Sequence, residues 1–149
     1  MALTIQAVAR RTGLSEPTLR YYEQVGLIGP VPRDASSGHR RYREADVEAL
    51  GVLACLRAMG MSIEDMRVYQ ANRVAGPDRA GDQRDLLLQH AERVEEEIAT
   101  LRVHLRYLRA KAALWDARAA RDEEAEAVAD RRVQAVLPEL EGTLRRATA

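Results

Sequence analysis

One cysteine, Cys55, in 149 residues rules out an intrachain disulfide. A disulfide-stapled secreted scaffold is therefore excluded, as is a metal site built from several thiolates of one chain. Aromatic residues are scarce: no Phe, one Trp and five Tyr. An apolar set of mostly Leu, Val, Ile and Ala suits packed helices better than a sheet sandwich. Lysine is nearly missing as well. Lys111 is the sole Lys and the other basic residues are Arg, whose planar fork matches phosphate and guanine. No apolar run approaches the roughly 20 residues of a membrane span. The first residues lack the apolar stretch and cleavage site of a signal peptide, so the expected location is the cytoplasm.

The formal net charge is zero, which at first sight argues against a nucleic-acid partner. The distribution reverses that reading. Residues 1–43 hold seven Arg against Glu16, Glu23 and Asp34, a net of +4, and the acid that balances them lies further on. A basic head on an acidic body is the asymmetry expected when one end of a chain meets phosphate.

Thr4 reads as the N-cap of a short helix with Ile5, Val8 and Ala9 on one face, ended by Gly13. Ser15 caps a second helix, with Pro17 in its first turn and Leu19, Tyr22 and Val25 following, up to Gly26. Two short helices around a tight glycine turn make a helix-turn-helix candidate. Gly, Pro, Asp and Ser punctuate residues 26–42, with room for two short strands around a turn at 34–38, a β-hairpin wing. A third helix over 44–59 points Val47, Leu50 and Ala54 one way and Val52, Leu56 and Met59 another, as in a helix buried between neighbours. Ser62, with Asp65 three residues on, opens a fourth helix, which ends in a loop at 75–78.

The strongest periodic signal follows. Leu87, Val94, Leu101, Leu108 and Trp115 recur every seven residues, and Ala91, Ile98, Leu105 and Ala112 fall between them. These are the two apolar positions of a heptad held for about four repeats. A helix over 82–117 would leave this seam in water. The remainder offers no second helix of similar length, so a second copy of the chain is the expected partner. The alternative is a long helix folded back on its own domain. Residues 118–149 read as a helical or partly disordered tail, with a short amphipathic helix interrupted at Pro138. The expected organisation is a DNA-binding region with linker helices over 1–75, a coiled-coil helix over 82–117 and the tail.

In wording and order the chain resembles the MerR family of transcriptional regulators. The resemblance rests on Ile5-Gln-Ala-Val-Ala9, Thr12-Gly-Leu14, Thr18-Leu-Arg-Tyr-Tyr-Glu23, Gly26-Leu-Ile28, Gly38-His-Arg-Arg-Tyr42 and Met59-Gly-Met-Ser-Ile-Glu-Asp65. It covers about residues 3–115. His39 stands where the family's wing usually has Tyr. The resemblance implies a mainly α protein with a winged helix-turn-helix head, linker helices and a long antiparallel coiled-coil dimerisation helix. It also implies a homodimer that distorts promoter DNA when an inducer arrives, thereby acting on RNA polymerase indirectly. The residues expected at duplex DNA are Ser15, Thr18, Arg20 and Tyr22 on the second helix and Arg33, His39, Arg40, Arg41 and Tyr42 on the wing. The helix would enter the major groove, and the wing would grip flanking phosphates. Tyr21, Tyr22 and Tyr42 are alternatively core residues, and the arginines solvated surface charge.

The thiolate cluster of the family's metal-sensing branch and the Cys cluster of its iron–sulfur branch are both missing, and no metal or cofactor is expected. His90 and His104 lie about 21 Å apart along a helix, too far to share an ion within one chain. The surroundings of Cys55 resemble the branch with a single Cys here that responds to aldehydes or other electrophiles, which makes Cys55 the sensor candidate. The alternative for it is an inert small core residue. A further possibility is a small organic ligand near the dimer helices, with Tyr69, Tyr107 or Trp115 as walls. Two other function classes compete: a coiled-coil interaction protein that ignores DNA, and an enzyme with Cys55 as nucleophile. Nothing in the sequence supplies the positioned base and oxyanion hole that the latter needs.

Overall fold

The computed structural model describes residues 1–148 and is mainly helical. Its helices are α1 (Ile5–Thr12), α2 (Glu16–Gln24), α3 (Glu44–Ala58), α4 (Ile63–Ala75), α5 (Ala80–Ala119) and α6 (Glu123–Ala147). The expected loop before α5 is a single 3-10 turn, Gly76–Arg79. Contacts divide the chain into two compact units, Met1–Leu88 and the part from Gln89 onward.

In the first unit, the caps form as the sequence suggests. Thr4 Oγ1 accepts the Ala7 N–H at 3.3 Å, Ser15 Oγ that of Thr18 at 3.2 Å and Ser62 Oγ that of Asp65 at 3.1 Å. Each satisfies one of the amides that a helix start leaves without a partner. Gly13, at φ 75°, turns α1 toward α2, in a conformation costly for any residue with a Cβ. The core gathers Val8, Leu19, Tyr22, Tyr42, Leu50 and Leu53, all virtually inaccessible, with Leu27, Ile28, Val47, Met61 and Met66 around them. An ion pair between Arg11 and Glu44 links α1 to the start of α3. α3 buries Val47, Ala49, Leu50, Leu53 and Leu56. Val52 and Met59, expected on a second packed face, are exposed instead.

The wing corrects another expectation. No strand forms among the described residues; antiparallel pairing is limited to the isolated bridges Leu3–Tyr42 and Arg33–Arg40. Pro30 and Pro32 have no N–H to give to a ladder, and the Val31 N–H goes to a Glu23 carboxylate oxygen at 2.9 Å. What remains is a closed turn, in which Arg41 N–H donates to the Pro32 carbonyl at 2.7 Å and Asp34 N–H to that of His39 at 2.8 Å.

In the second unit, α6 is one helix through Pro138, where an interrupted or partly disordered tail was expected. A proline removes a single ladder hydrogen bond, and burial on both sides of it holds the helix together. Val103, Ala110, Leu114 and Ala117 of α5 are buried, as are Ala129, Val133, Val136 and Thr143 of α6. Arg106–Glu139 at 2.5 Å and Arg118–Glu126 at 2.8 Å tie the two helices along their edges. α5 thus has a helical partner in its own chain, on a face distinct from the heptad seam. The seam stays open: Leu101, Leu108 and Trp115 are each more than half exposed, and Ala91, Ile98, Leu105 and Ala112 are exposed beside them.

Candidate nucleic-acid interface

The start of α1, one side of α2 and the wing surround a cleft of about 230 Å³. Arg20, Arg33, His39, Arg40 and Arg41 line it together with Thr4, Ile5, Gln6 and Gly38. Five of the nine residues expected at DNA therefore meet in one concave surface, although they come from two separate segments of the chain. No acidic side chain lines it. Free amides and the positive end of the α1 dipole add to the field of the arginines. Positive concave surfaces of this kind suit phosphate. Thr4, Ile5 and Gln6 are site residues that the sequence reading passed over. Thr4 was legible as a cap, but its nearness to Arg20 and Arg41 depends on tertiary folding.

Each arginine is oriented within the head. Arg40 Nε donates to Glu23 Oε1 at 3.1 Å, and this pair is about four-fifths buried. The other carboxylate oxygen of Glu23 holds the Val31 N–H, so one side chain of α2 anchors both arms of the wing. Arg33 Nη1 donates to the Gly38 carbonyl at 3.1 Å, Arg20 pairs with Glu16 one turn back at 3.2 Å, and Arg41 lies 3.7 Å from Asp34. At the wing tip, Asp34 Oδ1 accepts from the hydroxyls and backbone amides of Ser36 and Ser37. The Ser36 hydroxyl, followed by the Ser37 amide, holds the Asp34 carboxyl well below the usual carboxylate range.

Ser15 is exposed and Thr18 half-buried at the start of α2. Their hydroxyls meet at 2.8 Å, so the pair caps the helix at the end expected to approach a groove. Tyr22 and Tyr42, expected at DNA, are core residues with inaccessible rings. Burial raises both phenol pKa values above the ordinary range. Leu19 and Tyr22 lie three residues apart and share the inner face of α2. Tyr21, on the outer side, is the exposed member of the pair. Cys55 is exposed on α3 between Val52 and Met59, not packed in the core.

Two capped helices joined by a glycine turn, carrying a basic cleft beside a short wing, define a helix-turn-helix DNA-binding head. Residues 3–72 match the family described as MerR HTH family regulatory protein. An uncharacterized HTH-type transcriptional regulator of Haemophilus influenzae is 32% identical over 115 residues, 77% of this chain and 84% of that protein. The HTH-type transcriptional regulator AdhR of Bacillus subtilis is 37% identical over 94 residues, 63% of this chain and 66% of AdhR. The crystal structure of HiNmlR, a MerR family regulator lacking the sensor domain, bound to promoter DNA, superposes with a TM-score of 0.64 at 32% identity, covering 80% of this chain and 94% of that one. The chain belongs to the MerR family and is a DNA-binding transcriptional regulator, not an enzyme.

Proposed function

We propose that the protein acts as a homodimer, reads two half-sites of an inverted repeat in promoter DNA, and distorts that DNA in response to an inducer. The observation that carries the dimer is the uncovered seam from Leu87 to Trp115: α6 packs on α5 yet leaves this stripe open. Burying one large apolar side chain contributes about 1.5–3 kcal/mol, so a second copy on this face gains several such terms. Charge favours antiparallel pairing. Residues 80–99 hold six acids against two Arg, a net of −4, whereas residues 100–119 hold five basic residues against Asp116, a net of +4. Antiparallel copies place unlike halves side by side. RNA polymerase is affected through promoter shape, and the protein works on the nucleoid in the cytoplasm. Sedimentation tests the dimer: the native chain runs as a dimer and Leu101→Glu, with a charge on the seam, as a monomer. A monomeric native chain would contradict the reading.

Cys55 is the proposed sensor of an aldehyde or other electrophile. Its exposure on α3 is the supporting observation, since a reactive thiol must be reachable. In vitro transcription with and without formaldehyde or methylglyoxal tests this. Wild type is induced and Cys55→Ser is not; equal induction of both would sink the thiol mechanism.

A further inference from the structure

The faces of α5 and α6 border an open groove of about 850 Å³, built wholly from residues of the second unit. Its volume falls within the range of small-molecule sites. Arg102, Arg106, Arg109 and Arg146 line it, and Glu139 is its sole acidic residue. Glu139 is already engaged in a two-pronged pair with Arg106. Among the described residues, Arg102, Arg109 and Arg146 have no ion pair or hydrogen bond through their side chains.

Solvated surface charge is the plain alternative, but the local sequence argues against it. The positions three and four residues away from Arg102, on either side, are Ile98, Ala99, Leu105 and Arg106. Around Arg109 they are Leu105, Arg106, Ala112 and Ala113. Neither arginine has an acid one turn away, and both have another arginine there. Like charges at this spacing destabilise a helix. Several other arginines do have an acid within one turn, as Arg20 has Glu16, Arg43 has Asp46 and Arg79 has Asp82. On α6, Gly142 offers open space where any other residue would place a side chain. Val103, Leu105 and Pro138 supply apolar surface beside the unpaired guanidinium groups.

We propose that this groove binds a small organic anion, with a carboxylate, phosphate or sulfonate held by the forks of Arg102, Arg109 and Arg146 and an apolar body on Val103, Leu105 and Pro138. Arginine forks make strong charge-assisted bonds to such planar or tetrahedral acids. Leu105 belongs both to the groove wall and to the heptad seam, so occupancy alters the surface on which a second copy sits. That regulatory link rests on the dimer reading above; the binding site does not.

Fluorescence titration of the full chain with anilinonaphthalene sulfonate, an aromatic body carrying one sulfonate, tests the site against its uncharged relative N-phenylnaphthylamine. The expected result is saturable binding of the anion, at least about tenfold tighter than the neutral probe and at least about tenfold weaker in Arg102→Gln/Arg109→Gln, whose helix content is unchanged. Equal affinity for the two probes, equal affinity of the double variant, or no saturable binding would each overturn the site. Sedimentation of the same samples separates the two readings. Arginine-dependent binding to a monomeric chain would keep the site and discard its link to dimerisation.

Discussion

Glu23 fixes the wing with both carboxylate oxygens, one on Arg40 and one on the Val31 amide. Glu23→Gln should cost the head about 1–2 kcal/mol, because it weakens one charge-assisted bond and leaves Arg40 without its counter-charge. Thermal melts of the head measure this. Arg40 has two further guanidinium nitrogens available for phosphate, which separates two roles. If Arg40 only positions the wing, Arg40→Ala and Glu23→Gln weaken DNA binding alike. If it also grips phosphate, only Arg40→Ala lowers the salt slope, by about 2 for a dimer with one lost contact per copy. The interface reading expects the second result, and salt-dependent anisotropy titrations read it directly. Tyr42 gives a sharper contrast. Its buried hydroxyl has no hydrogen-bond partner among the described residues, so Tyr42→Phe should leave DNA affinity unchanged and stability equal or higher, since it removes a buried polar group that nothing satisfies. A large loss of affinity would return Tyr42 to the interface where sequence reading put it.

At the scale of the element, legibility follows the range of the interactions. Caps such as Thr4, Ser15 and Ser62 act within one turn, and the heptad repeats itself along one helix, so both could be read from sequence. Which tyrosine of the Tyr21–Tyr22 pair turns inward depends on what α3 presents to α2, and sequence alone left that open. The wing was misread because the residues between the Gly, Pro, Asp and Ser breakers left room for two short strands, while Pro30, Pro32 and the reach of Glu23 to Val31 determine the pairing. The unbroken α6 was missed because Pro138 was given more weight than the buried stripe of Ala129, Val133 and Val136 before it and Thr143 after it. Titration also acts at this scale. The phenol pKa values of Tyr22 and Tyr42 are raised in the folded head by burial. Their contribution is therefore complete below the unfolded value of about 10 and is lost as pH rises beyond it. The melting temperature of the head should be insensitive to these groups in neutral solution and fall above about pH 10. Asp34 has the opposite sign. Its depressed pKa keeps the turn's contribution intact above about pH 4 and loses it only in stronger acid.

Across the whole molecule, a net charge of zero conceals a division of labour. The head carries a cleft lined by arginines, while α5 runs from an acidic half to a basic half. The cleft was legible as a charge excess over residues 1–43, but its composition was not, since Thr4, Ile5 and Gln6 join it only through folding. The groove of unpaired arginines was not legible either, because the tail was expected to lack a continuous helix that could wall it. The central claim is that this head binds duplex DNA in pairs. The most direct test is footprinting of the purified native chain on the DNA upstream of its own gene, across a series of salt concentrations. Two protected half-sites are expected, about one helical turn apart or a multiple of it, arranged as an inverted repeat and lost steeply as salt rises. A single protected half-site, or no protection at low salt, would contradict it.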